Sequence, residues 1–190
     1  MEHFYHNIQG WFTYPNLYSE MVNRALVPAH FVEVGVWKGT SAAYMAVEIA
    51  NSGKTIKFDC IDTWEGSEEH LDPASSAFEL NLLTNQDWLY DTFITNMKPV
   101  QEWYTPYRME SLQAVKLYQP ASLDFVFIDA AHDYQSVLAD IQAWFPKVKG
   151  SIAGHDYSWS EEVKQAVHDF FDPLGLEVRE TEGCWAVYKS

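Results

Sequence analysis

Apolar positions along this chain alternate between short continuous runs and stretches with helical spacing. Phe31–Val36, Thr55–Ile61, Leu123–Ile128 and Lys147–Ala153 read as strands covered on both faces. Between them lie helical patterns. Thr40–Ser52 places Ala42, Ala43, Met45, Ala46 and Ile49 on one side and stops at Asn51-Ser52-Gly53. Asp87–Met97 and Ser111–Tyr118 read as helices, and so does the stretch carrying Tyr134, Val137, Leu138, Ile141 and Phe145. Tyr18–Ala25 is a short helix before Pro28, and Val100–Tyr107 is a strand interrupted by Pro106. Ser158-Trp159-Ser160-Glu161 reads as a capping box opening a helix with Val163, Ala166, Val167 and Phe170 on one face. Two last strands, Leu174–Arg179 and Cys184–Tyr188, are joined by the turn Glu180–Gly183.

Repeated strand–helix alternation predicts a doubly wound α/β sheet, mostly parallel. The last connection is too short for a parallel crossover, so the final strand must run antiparallel to its partner. A chain of 190 residues suits one domain, 1–190. Within it, the aromatic segment 1–30 reads as a lid or cap, or as cover for a hydrophobic edge. The long connection 65–99 opens with polar residues and reads as a lid or a surface loop.

The formal net charge of −15 disfavours a nucleic-acid partner and an anionic membrane surface. No apolar run is long enough to span a bilayer, and the opening residues lack a basic segment followed by an apolar one, so a cytoplasmic protein is expected. Cys60 and Cys184 each sit inside a strand-like run, with no zinc or disulfide spacing.

Four segments carry candidate chemistry. In Glu33-Val34-Gly35-Val36-Trp37-Lys38-Gly39-Thr40-Ser41 a strand turns into a helix. Gly35 permits the sharp turn, Gly39 a close ligand approach, and the helix start favours an anionic group. The spacing is not the dinucleotide G-x-G-x-x-G, which disfavours a nicotinamide oxidoreductase. Asp62 ends the second strand, where an acid commonly binds ribose hydroxyls, and Thr63 and Trp64 follow it. Asp129, Ala130 and His132 follow the strongest strand, and His155-Asp156-Tyr157 follows the next. Asp129 and Asp156 thus fall on adjacent strand ends, where two carboxylates suit a divalent cation and His132 or His155 a third ligand or a general base.

LDFVFIDAAHDYQSVLADIQAWFPKVKGSIAGHDY resembles the small class I S-adenosylmethionine-dependent methyltransferases, with their I-D-x-x-H-x-Y and G-(H/D)-D-Y motifs. FVEVGVWKGTSAAYMA resembles their first motif, E-x-G-x-x-x-G. The resemblance implies a Rossmann-like sheet of order 3-2-1-4-5-7-6 and S-adenosylmethionine as methyl donor. It places Glu33, Gly35 and Gly39 around the methionine end of the donor, and Trp37, Thr40 and Ser41 of the same motif are further candidates for donor binding. Asp62 then falls at the ribose, Glu110 and Ser111 beside adenine, and Asp129 near the donor; Thr63 and Trp64, which follow Asp62, are candidates to touch the nucleoside, and Ala130 to bind the donor. In metal-dependent relatives Asp129 and the position of Asp156 hold a cation; where those relatives carry two successive acids, this chain has His155-Asp156.

The expected function is methyl transfer to a small-molecule acceptor, at a sugar-like or phenolic hydroxyl. His132 is the first candidate base and His155 the second. Trp11, Tyr14, Tyr134, Tyr157 and Trp159 are candidates for the acceptor walls. A divalent cation such as magnesium or manganese and a homo-oligomer stay open. The rival readings are a metal-dependent hydroxylase-like enzyme on the same fold and a non-catalytic module binding cofactor or nucleoside.

Overall fold

The computed structural model describes residues 1–75 and 77–189. Ser76, in the polar half of the 65–99 connection, and Ser190 lie outside the described residues. Seven strands form one sheet: β1 (Ala29–Val34), β2 (Ile56–Asp62), β3 (Thr105–Arg108), β4 (Leu123–Ile128), β5 (Val148–Gly154), β6 (Arg179–Thr181) and β7 (Cys184–Tyr188). Their order is β3-β2-β1-β4-β5-β7-β6, with β7 antiparallel to both neighbours. This is the anticipated order, including the reversed last strand.

Side-chain alternation explains why the strands read as unbroken apolar runs. Phe31, Phe125 and Phe127 face α1 (Pro15–Arg24), α2 (Thr40–Ser52) and α5 (Trp88–Met97). Val32, Val34, Val126 and Ile128 face the other way, onto α6 (Ser111–Ala114), α7 (Tyr134–Trp144) and α8 (Glu161–Phe171). Each face buries its own layer, so no position is left for a polar alternation. The buried acids Glu33 of β1 and Asp59 of β2 are exceptions; Asp59, wholly buried, accepts from His30 Nε2 at 2.7 Å, Lys57 Nζ at 3.0 Å and the Tyr118 hydroxyl at 3.0 Å.

Several elements differ from the sequence reading. The first helix starts at Pro15, whose fixed φ suits a first helical position, rather than at Tyr18. The 65–99 connection adds α3 (Glu68–Leu71) and α4 (Leu80–Thr84) ahead of α5, which is the expected helix. Of Val100–Tyr107 only the second half joins the sheet, as the edge strand β3, where Pro106 is tolerated. Leu174–Arg179 contributes only its last residue to β6, because a 3-10 turn and Gly175 at φ 67° occupy its start. The hairpin turn contracts to Glu182-Gly183, both at positive φ. The cap of α8 is Ser160, which accepts from Val163 N at 3.3 Å; Ser158 instead donates to Glu180. Phe171 rather than Phe170 completes the buried face of that helix.

The N-terminal aromatic segment packs into the core. Tyr14 and Tyr18 are fully buried, with ring centroids 4.7 Å and 5.0 Å from Phe127. Both cysteines are buried and unpaired. Among the described residues, no helix is long and apolar enough to cross a membrane.

Candidate active site

The carboxyl ends of β1, β2, β4 and β5 lie side by side, and the turns leaving them are tied together by backbone bonds. Asp129 N donates to Val34 O at 2.8 Å, Gly35 N to Ile61 O at 2.8 Å and His155 N to Ile128 O at 3.1 Å. Gly35 is fixed by this closeness: it sits at φ 84°, and a Cβ there would lie 2.0 Å from the Asp129 carbonyl oxygen. Gly39, at φ 94°, has a different reason from the expected ligand approach. The space its side chain would fill is occupied by Met97 and Phe93 of α5, at 3.1 Å.

Asp62 braces the first turn. One oxygen accepts from Val36 N and Trp37 N, each at 2.9 Å, and the other from Trp64 N at 2.7 Å. Burial raises its pKa, and these backbone bonds oppose the rise. The carboxylate is thus engaged chiefly by the main chain of its own turn and of the turn after β1. Trp64 is fully buried and donates its indole N–H to Trp37 O at 2.9 Å. It supports the turn from beneath rather than facing a ligand. Thr63 is half-buried beside it, with its hydroxyl accepting from Glu65 N.

Glu33 is 1% exposed and accepts from the Ser41 hydroxyl on one oxygen. Its other oxygen has no hydrogen-bond partner among the described residues. Burial, with the nearby charges of Asp129 and Asp62, lifts its pKa to about 8. A buried carboxyl with a spare acceptor beside two more acids suits a cationic ligand group, such as the ammonium of an amino acid. Trp37 stands over the same turn at φ 49°, its ring stacked on His70 of α3 at 3.9 Å. Its indole nitrogen is buried with no hydrogen-bond partner among the described residues. Lys38, 4% exposed, donates to Gln9 and to Glu79, which fastens the long connection over the first motif. Thr40 is buried and donates to Ile8 O.

The second group of residues gathers beyond β4 and β5. The Tyr14 hydroxyl donates to Asp129 Oδ2 at 3.0 Å. His155 Nδ1 lies 3.6 Å from Asp129 Oδ1 and 3.3 Å from Asp156 Oδ1, while its Nε2 meets the Thr13 hydroxyl at 3.4 Å. His132 Nε2 lies 2.9 Å from Asp156 Oδ2. Burial alone would depress His155, but its two carboxylate neighbours outweigh that and bring it to about 9. Burial likewise opposes ionisation of Asp156, yet His132 and His155 hold it well below the usual carboxylate range. Asp156 also adopts φ 58°, a costly conformation for a non-glycine residue. Asp129, His132 and Asp156 offer ligand atoms within 4.8 Å of one another, a set that fits a divalent cation.

Other predicted positions fall elsewhere. The Tyr157 hydroxyl pairs with His168 Nε2 at 2.7 Å and the Tyr134 hydroxyl with Asp169 at 2.9 Å, so both are turned to α8 and away from this cluster. Ser111 donates to Asp140 and accepts from the Trp144 indole, which ties α6 to α7, and Glu110 beside it is exposed. Ala130 is exposed beside Asp129. Trp159 is 63% exposed, with its ring 5.3 Å from His155, and Trp11 is 62% exposed. Sequence reasoning missed Thr13, Lys38, His70 and Glu182, whose contacts run between segments far apart in the chain. Only Glu182 leaves a local signal, an acid in a turn position that favours Asn or Gly.

A glycine turn after β1, acids after β2, β4 and β5, and a reversed β7 inside the sheet together define a class I methyltransferase domain, the class that uses S-adenosylmethionine. The profile of a methyltransferase domain matches residues 32–157, and the chain belongs to that family. The O-methyltransferase NovP is similar in structure, with a TM-score of 0.66 and 16% identity, covering 93% of this chain and 79% of that one. The O-methyltransferase from Bacillus cereus in complex with SAH aligns with a TM-score of 0.59 and 16% identity, over 97% of this chain and 86% of that one. At such identities the likeness is one of fold. Protein y4gI of Sinorhizobium fredii, described as uncharacterized, is 23% identical over 156 residues. That alignment covers 81% of this chain but spans only 16% of the length of y4gI.

Proposed function

We propose that this chain transfers a methyl group from S-adenosylmethionine to a hydroxyl of a small sugar-like or phenolic acceptor. The observation that carries the reading is the contact between two half-sites. The Gly35 turn, with Glu33 and Asp62, touches the main chain of Asp129, and the Asp129 side chain belongs to the histidine–carboxylate cluster. A donor held on the first half-site thus has its reactive end directed at the second.

In this reading Glu33 receives the donor's ammonium and Asp62 a ribose hydroxyl. The donor supplies a methyl group already activated on a sulfonium. The remaining work is to hold the acceptor oxygen in line with that methyl and to take its proton. His132 suits the proton transfer: it is half-exposed and oriented by Asp156 at 2.9 Å. His155 is buried with both nitrogens engaged, which makes it an orienting group for Asp129 and Asp156. The exposed ring of Trp159 supplies a flat wall for the acceptor. Were a divalent cation bound, Asp129, His132 and Asp156 would hold it, and it would supply positive charge to the acceptor oxygen in place of a histidine base.

Calorimetry with S-adenosylhomocysteine is expected to show one site per chain, and NAD none. Radiolabelled methyl transfer to a panel of sugar and phenolic acceptors identifies the substrate. His132→Ala is then expected to keep the affinity for the donor product while kcat drops about 100-fold or more. Loss of activity on chelation, restored by manganese, assigns His132 to the cation instead. A chain that fails to bind S-adenosylhomocysteine refutes the donor assignment, and binding without turnover on any acceptor favours the binding module.

A further inference from the structure

Two segments outside the family match of 32–157 reach the reaction end: the N-terminal Thr13-Tyr14 and the hairpin turn Glu182-Gly183. Tyr14 is fully buried, with its ring 4.7 Å from Phe12, 4.7 Å from Phe127, 5.2 Å from Tyr18 and 4.8 Å from His155. A phenylalanine would fill such an aromatic niche equally well. A buried hydroxyl without a partner costs about 1–3 kcal/mol, so its retention here needs a reason. The partner is Asp129 Oδ2, at 3.0 Å. With Oδ2 held, Oδ1 is the oxygen left toward His155.

Tyr14 is itself held in place. Glu182, across the sheet edge, accepts from Asn16 Nδ2 at 2.7 Å and from the backbone N–H of Leu17 at 3.1 Å, in the first turn of α1. Its carbonyl also accepts from the Thr13 hydroxyl at 3.4 Å. Glu182 stands at φ 53°, where a glycine or asparagine costs less. A glutamate is tolerated because its side chain reaches α1 and satisfies donors that the helix leaves open.

We infer that Tyr14 is a positioning residue that fixes the carboxylate of Asp129, and that Glu182 clamps Tyr14 into that position. The inference rests on the reading of Asp129 as part of the reaction site. Neither residue touches the reacting atoms; both act through the direction in which Asp129 presents Oδ1.

The test uses the full chain with manganese(II) alone as probe, read by electron paramagnetic resonance, beside calorimetry with S-adenosylhomocysteine. Tyr14→Phe keeps the ring and removes the hydroxyl. It is expected to weaken manganese binding about 10-fold, the scale of losing a partner that orients a ligand, with donor-product affinity and thermal midpoint unchanged. Glu182→Asn suits the turn but is too short to reach α1, and is expected to weaken manganese in the same direction by less. Asp129→Asn is the control for the underlying reading and is expected to abolish manganese binding. Wild-type manganese affinity in Tyr14→Phe, when Asp129→Asn has lost it, overturns the positioning role and leaves Asp129 as a ligand. Equal affinity in all three proteins overturns both the cation reading and the inference. A parallel fall in donor-product affinity and thermal midpoint reduces Tyr14 to a packing residue and also overturns it.

Discussion

Glu33 is a single residue whose protonation makes the stability of the fold depend on pH. In the unfolded chain it ionises near its ordinary value of about 4.3, whereas in the fold burial keeps it neutral to about 8. Its contribution to stability is therefore complete below the unfolded value and declines as pH rises towards 8. Glu33→Gln is expected to raise the thermal midpoint of the ligand-free chain at pH 8 and to leave it unchanged at pH 4. Melting curves at the two pH values check this, and an equal shift at both would refute it. Asp59 runs the other way. Burial would raise it, but the hydrogen bonds and charges of His30 and Lys57 bring it below its ordinary value. Its contribution is present above the unfolded pKa of about 3.9 and is lost as pH falls through the lower folded one. His30→Ala is expected to cost about 1–3 kcal/mol at pH 7 and less in acid, measured by urea unfolding. The sequence made the strand-end acids visible because an acid closing an apolar run is conspicuous. It did not distinguish Asp62, which braces a turn, from Asp129, whose side chain joins the histidine–carboxylate cluster, since that depends on which backbone N–H groups come within reach.

At the scale of elements, the strand and helix patterns of the central sheet were legible because each strand is buried on both sides. Thr40–Ser52 and Leu123–Ile128 fall where the apolar pattern put them. The edges were not legible. β3 and β6 are short because 3-10 turns, Pro106 and Gly175 govern their ends, and hydrophobic spacing carries no such information. The small polar elements of the 65–99 connection were missed because contacts to the first motif stabilise them, through Lys38–Glu79 and Trp37–His70. Two predictions belong at this scale. Gly35→Ala forces a Cβ against the Asp129 carbonyl and is expected to lower stability by about 2–4 kcal/mol, with donor-product binding lost, as calorimetry and urea unfolding would show. The caps of α7 and α8, Asp133 accepting from Ser136 N and Ser160 accepting from Val163 N, hold the two helices that follow the site loops. Asp133→Ala and Ser160→Ala are each expected to cost about 1 kcal/mol without changing donor-product affinity.

For the whole molecule, the reversed strand has a consequence for how the chain reaches its final form. β6 is paired with β7 alone, and β7 fills the gap between it and β5. During synthesis, therefore, the part of the sheet beyond β5, β7 and β6, cannot form until Cys184–Tyr188 has left the ribosome. Until that moment β5 presents an open edge able to capture a neighbouring nascent chain. Shortening the chain before Cys184 removes two strands rather than one and releases Glu182 from α1. Such a product is expected to accumulate in inclusion bodies, whereas a cut of similar length within the 65–84 segment is expected to spare solubility.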